Sequence, residues 1–245
     1  MTTVHVVYKL SPRQSNNDEE LIARSNGRCV LQRRLLVLAV YDPKWFMQAI
    51  KLAKRRGIAF SYYYPGEDLP RGSVVYTDFE YILGELEGRK DLLIIYDPQR
   101  SCKKLEEAIL ASMYSSGYRS VIVGVDPGDV LSYVILGDDY LLLYGEGGLK
   151  DLDEDFNYVL SCVPHDEIRV KVGTGHKCGE VVEYIKKKYV NIPLELVDET
   201  STSPSRSRID EVVHSARRLR GLKPFRHKDI YAAYRIALSK GVEVL

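Results

Sequence analysis

The sequence predicts an α/β protein built from two sheets of different kind: a smaller parallel sheet in the N-terminal half and a mixed sheet with flanking helices in the C-terminal half. Three observations carry this. Between about residues 30 and 118, continuous apolar runs alternate with segments of helical periodicity, the pattern of parallel strands joined by crossover helices. From Tyr118, three apolar runs succeed one another with only turn residues between them, which reads as a meander. Helix and strand patterns then alternate to the end of the chain. The change of pattern divides the chain into 1–118 and 119–245.

Taken in order, Val4–Tyr8 is a short apolar strand, and residues 11–28 are polar, either a loop or a short helix around Asp18–Ala23. The apolar run from Arg34 to Tyr41 ends in Asp42-Pro43, and Trp45, Phe46, Ala49, Ile50 and Ala53 then recur at helical spacing. Asp91–Tyr96 repeats the unit: it runs into Asp97-Pro98 and a second helix carrying Leu105, Ala108 and Ile109. An Asp that caps a helix with Pro at its first position explains both junctions. Ile58–Tyr64 and Ser73–Thr77 supply two more strands around a Pro/Gly turn. This half contains no glycine-rich phosphate loop, and its function is not readable from its residues.

In the second half the strands Tyr118–Val125, Val130–Leu136 and Tyr140–Tyr144 form the meander. An amphipathic helix (Leu152, Phe156, Val159), the strand Ile168–Val172, a helix over about 179–189, the strand Leu194–Val197 and a last helix from Asp229 complete it.

The length of 245 residues, with 45% hydrophobic and 28% charged, suits an ordinary globular protein. A formal net charge of +1 excludes a uniformly basic coat but not one basic face. No apolar run approaches the roughly 18 residues a membrane span requires, and Met1-Thr-Thr-Val-His5 lacks a charged leader. The expectation is a cytoplasmic protein with no membrane partner. Cys29, Cys102, Cys162 and Cys178 are scattered without C-x-x-C spacing, so they read as reduced thiols rather than a zinc knuckle or a disulfide framework. His165 and His176 have no ligand spacing, and Gly173-Thr174-Gly175 is explained equally well by a backbone approach to phosphate and by a tight strand-to-helix turn.

Asp126 differs from the two capping aspartates. β-branched and aromatic residues come after it instead of a helix, which places its carboxylate at a strand end with no capping task. Asp198-Glu199 also ends an apolar strand, where open α/β sheets place ligand crevices, and Asp229 opens the last helix. Carboxylates from two strand ends and a helix start can converge on one or two Mg²⁺ or Mn²⁺ ions, the arrangement that activates water and stabilises the leaving oxygen in phosphodiester hydrolysis. Strand alternation turns only one of Asp198 and Glu199 towards such ions, and both stay open.

With these residues in place, the C-terminal half resembles the RNase H-like superfamily, and within it the RuvC and YqgF branch of Holliday-junction-resolvase-like nucleases. Asp126-Pro127-Gly128 matches the D-P-G that ends the first strand of that branch. Leu196–Thr202 approaches the pattern D-E-R-x-T after an apolar strand, and Asp229–Leu238 approaches D-x-x-A-A-x-x-I-L. The resemblance covers about residues 119–241. It implies a divalent-metal-dependent nuclease acting on structured DNA or RNA, with Asp126, Asp198, Glu199 and Asp229 as catalytic and metal-binding residues. Two departures stand out: Thr200 replaces the family's Arg, and Ala232 stands where RuvC-type enzymes carry a second acid.

Charge gives an independent indication. Between residues 206 and 228, Arg206, Arg208, Arg217, Arg218, Arg220, Lys223, Arg226 and Lys228 face only Asp210 and Glu211, a net of +6 that leaves the rest of the chain at −5. A basic stretch beside acids suits a phosphate-backbone partner, with these eight residues as candidate contacts. Three readings result: the nuclease, a nucleic-acid-binding module of the same fold with an impaired metal site, and an interaction protein. A homodimer is compatible with all three.

Overall fold

The computed structural model describes residues 34–138, 140–198 and 228–244. The first sheet comprises β1 (Leu36–Ala39), β2 (Phe60–Tyr62), β3 (Val74–Thr77) and β4 (Leu93–Tyr96), with α1 (Pro43–Arg55), α2 (Tyr81–Glu85) and α3 (Cys102–Ser112) between and after them. All four strands are parallel, in the order β2-β1-β3-β4. The unbroken apolar run of β1 has a simple cause. Leu36 and Leu38 face Ala49, Ile50, Ala53, Leu105 and Ile109, while Val37 faces Leu69, Ile82 and Leu86, so both faces of the strand are covered.

Asp42 caps α1 as expected, its Oδ1 accepting from the Trp45 backbone N–H at 2.7 Å with Pro43 in the first turn. Asp97 does not cap α3. That helix begins later, at Cys102, with Ser101 as its cap. The Asp97 carboxylate is instead drawn inward, 3% exposed, where it accepts from Tyr76 Oη and from the Ser101 N–H, both at 2.7 Å. A hydroxyl from a neighbouring strand therefore outcompetes the local cap. The short helix α2 is an element the periodicity does not announce.

The second sheet contains β5 (Tyr118–Pro127), β6 (Leu131–Gly137), β7 (Tyr140–Gly147), β8 (His165–Gly173), β9 (Leu194–Val197) and β10 (Val242–Glu243), in the order β10-β9-β8-β5-β6-β7. β5, β6 and β7 form the antiparallel meander; β5, β8 and β9 are parallel; β10 closes the edge antiparallel to β9. Helices α4 (Leu149–Cys162), α5 (Cys178–Lys188) and α6 (Lys228–Leu238) flank it. The sequence of elements, from strand and two hairpin strands through helix, strand, helix and strand to a terminal helix, is the mixed α/β order expected from the sequence. One face buries Val121, Val123, Val125, Ile135, Phe156, Val159, Val170 and Ile185 beneath α4 and α5. The other buries Val134 and Leu136 against Ile230, Ala233, Tyr234 and Ala237 of α6.

Three contacts join the sheets' helices. Arg56, at the end of α1, pairs with the fully buried Glu106 of α3, whose Oε1 also accepts from Tyr158 Oη of α4 at 2.7 Å. Arg55 donates to Asp155 of α4 at 2.7 Å. Cys102 and Cys162 form a disulfide between the start of α3 and the end of α4, with Cα atoms 5.3 Å apart. The disulfide corrects the expectation of reduced thiols for these two residues. They lie 60 positions apart, and only the packing of α3 on α4 brings them together. Cys29 lies outside the described residues. None of the described helices is long and apolar enough to cross a membrane.

Candidate functional site

The face of the second sheet beneath α6 carries the first of the expected acids. Asp126 is the penultimate residue of β5 and partly buried. It shares its side with Gly124 and Ile122, because alternate strand residues point to the same face. Gly124 is where α6 presses closest: a Cβ there would stand 2.3 Å from the Ala233 carbonyl oxygen. Opposite Asp126 in the ladder lies Ser132, and opposite Ser132 lies Glu146. Directly opposed residues in antiparallel pairs share a face, so Asp126, Ser132 and Glu146 form one cross-strand row on the α6 side. Ser132 is 0% exposed, and its Oγ has no hydrogen-bond partner among the described residues. Nothing in the sequence marks Ser132 or Glu146, since both read as ordinary polar positions of a hairpin.

On the other flank of β5, Lys171 of β8 is level with Gly124 and with Glu195 of β9. Lys171 Nζ lies 3.5 Å from Glu195 Oε2 and donates to the Ser239 carbonyl at the end of α6; Arg169 Nη1 lies 3.2 Å from Glu195 Oε1. These contacts anchor the end of α6 to the sheet.

The remaining expected residues are dispersed. Asp198 is exposed, one position beyond β9, and Asp229 is exposed in the first turn of α6. The first-turn position suits a carboxylate, because the helix N-terminus carries partial positive charge. Lys228 is exposed at the first position of α6. Glu199, Arg206, Arg208, Arg217, Arg218, Arg220, Lys223 and Arg226 lie outside the described residues.

Among the described residues, no three His, Cys, Asp or Glu side chains group closely enough to hold a metal ion. Asp126, Asp198 and Asp229 therefore do not converge as the sequence led one to expect. The reason lies in the strand order. β8 separates β5 from β9, which sets their backbones ~10 Å apart, and Val197 takes the rung level with Asp126 while Asp198 falls beyond it. The described donors alone do not fit a two-ion centre.

Fold and site together define an α/β chain with one parallel and one mixed sheet, the α6-side face of the mixed sheet carrying Asp126, Ser132 and Glu146. No family model matches the sequence, and no curated protein matches it. Among solved structures, the chain is similar to Marinitoga piezophila Argonaute in complex with a 5′ OH guide RNA, at 9% identity and TM-score 0.25 over 68% of this chain and 40% of that one. It is likewise similar to the same Argonaute with guide RNA and target DNA, at 10% identity and TM-score 0.25 over 68% and 39%. The chain thus spans about two fifths of the length of those structures. The fold assignment rests on strand order and connectivity rather than on that slight likeness.

Proposed function

We propose that this chain is a nucleic-acid-binding module of RNase H-like fold, with DNA or RNA held on the α6 side of the second sheet. One observation carries the reading. The basic stretch of residues 206–228 ends at Lys228, the first residue of the helix that lies across β5 and β6. Covalent continuity therefore keeps the end of a +6 segment at the start of that helix, where backbone N–H groups also favour phosphate.

A second reading, Mg²⁺- or Mn²⁺-dependent phosphodiester hydrolysis of the RuvC and YqgF kind, is favoured by a different observation: an unpartnered buried hydroxyl, Ser132 Oγ, on the rung of Asp126. Of the acids that reading needs, Asp126 is on the α6-side face and Glu199 lies outside the described residues, while the described donors form no ion-holding group by themselves.

Both readings are tested on the full chain with a branched DNA and a structured RNA. Binding should occur without divalent ions and weaken steeply with salt. Replacing Arg217, Arg218 and Arg220 by Ala should lower the salt slope by about 1 per lost phosphate contact. Absence of binding at low salt would overturn the module reading. Cleavage in Mn²⁺ that Asp126→Asn abolishes while the melting curve is kept would establish the second; cleavage unchanged in that variant would overturn it.

A further inference from the structure

A second surface lies at the carboxyl end of the first sheet and uses none of the acids or basic residues considered for the second. β1 and β3 are neighbours there whose chains leave in opposite directions, β1 leading to β2 on one flank and β3 to β4 on the other. This is the switch point at which open parallel sheets form ligand crevices. Tyr41 lies just past β1, Phe79 just past β3, and Tyr81 opens α2. Their rings form a ladder: Tyr41 and Phe79 stack at 4.8 Å with 25° between planes, Phe79 and Tyr81 at 5.8 Å with 28°. The three are 62%, 38% and 60% exposed, so a contiguous aromatic surface faces solvent.

The base of the ladder is fixed. The buried Asp78 carboxylate accepts from the backbone N–H groups of Tyr41 and Asp42 at 2.6 and 3.2 Å and pairs with Arg100 at 2.9 Å. Arg100 also lies 3.4 Å from Asp42, which offsets those two acids. Beside the ladder is an open hollow of about 540 Å³ lined by Phe79, Glu80, Tyr81, Gly84 and Glu85. Glu85 is held behind the hollow, its Oε1 accepting from the Gly66 N–H at 2.7 Å and its Oε2 buried, whereas Glu80 is exposed. Neither Glu80 nor Glu85 has an ion-pair partner among the described residues.

Aromatic faces are electron-rich, and an exposed carboxylate beside them, that of Glu80, selects for positive charge. We infer that this surface holds an arginine side chain of a basic peptide segment on a protein partner, its guanidinium stacked on Tyr81 and its N–H groups directed to the exposed Glu80. Arginine fits better than lysine because its planar group stacks on a ring and presents paired donors to a carboxylate. Unpaired nucleic-acid bases also stack on exposed aromatics, but their phosphates would meet the repulsion of Glu80. The inference stands apart from the function proposed for the second sheet.

The test uses the full chain and a fluorescent peptide of four Arg-Gly repeats, read by anisotropy at low salt. Saturable binding is expected. Tyr81→Ala and Glu80→Gln, both at exposed positions, should each weaken it roughly tenfold while the melting temperature stays put. The citrulline counterpart of the peptide should not bind. The inference is overturned by absence of peptide binding, by equal binding of the citrulline peptide, or by unchanged affinity of both variants. It is also overturned if oligo-dT displaces the peptide from the wild type and loses its own affinity in Tyr81→Ala, which would assign the ladder to nucleic acid.

Discussion

Gly124→Ala adds a single methyl group beneath α6, and its cost can be worked from the geometry. The new Cβ would stand 2.3 Å from the Ala233 carbonyl oxygen and 2.7 Å from both Cβ and the backbone nitrogen of Ala237. Ordinary contact requires separations about 1 Å longer, so α6 has to lift by roughly that amount. Two of the three obstructing atoms belong to the backbone of a helix whose Ile230, Ala233 and Ala237 are 4%, 0% and 0% exposed, and they have no room to yield. Overpacking of this kind costs about 1–3 kcal/mol, and the rigid obstruction places Gly124→Ala at the upper end. The lower chain entropy of alanine in the unfolded state returns only about 0.4–1 kcal/mol, so the steric term wins. For a chain of this size, a net loss of roughly 2 kcal/mol lowers the melting temperature by about 4–8 °C. Calorimetry measures that shift, and hydrogen exchange should show lost protection in α6 with β8 unaffected. A melting temperature within a degree of the wild type, with α6 still protected, would refute the close approach of α6 to the sheet and with it the placement of Asp229 and Lys228.

Other expected outcomes concern the joint between the sheets. Reducing the Cys102–Cys162 disulfide, or replacing both residues by Ser, releases a 60-residue closure and should cost about 4 kcal/mol on the chain-entropy account, seen as a lower denaturation midpoint; no change on reduction would show that the link contributes nothing. Arg56→Met leaves Glu106 buried without its partner and should cost roughly 3–5 kcal/mol, checked by urea unfolding. The sign of its pH dependence is set by burial, which already holds the Glu106 carboxyl above its ordinary value of 4.5 although Arg56 pulls it down. With Arg56 gone, the native state binds more protons than the unfolded one, so the variant is most stable in acid and loses stability as pH rises from about 4.5 towards the raised value. Stability of Arg56→Met that rises over that interval would contradict the assignment. Arg56→Met with Glu106→Leu should recover much of the loss, because the uncompensated charge is then gone.

How much of this was legible along the chain depended on where the competing partners came from. The Asp42 cap was legible because its acceptor and donor are three residues apart. The same pattern at Asp97 misled because Tyr76, twenty-one residues away on another strand, takes the carboxylate. The meander and the parallel crossovers were legible from periodicity, since a strand buried on both faces must be apolar throughout, as β1 and nearly all of β6 are. Of the candidate site, Asp126 was singled out by the β-branched and aromatic run on its C-terminal side, whereas Ser132 and Glu146 acquire meaning only through the hairpin register that sets them on its rung. The aromatic ladder had no signal either: Tyr41, Phe79 and Tyr81 come from the ends of two strands and the start of a helix that only the parallel pairing of β1 with β3 makes neighbours.

By itself, then, the sequence determined the kind and order of the elements other than α2 and β10, the change from a parallel to a mixed sheet near residue 118, and the gathering of positive charge before the last helix. These arise from periodicity, turn residues and composition, which act over a few positions. The tertiary structure decided which side chains meet: that Cys102 and Cys162 join α3 to α4, that Glu106 is buried against Arg56, and that β8 stands between Asp126 and Asp198. Strand order and helix packing set those distances, and contacts between residues remote in sequence leave no periodic trace along the chain.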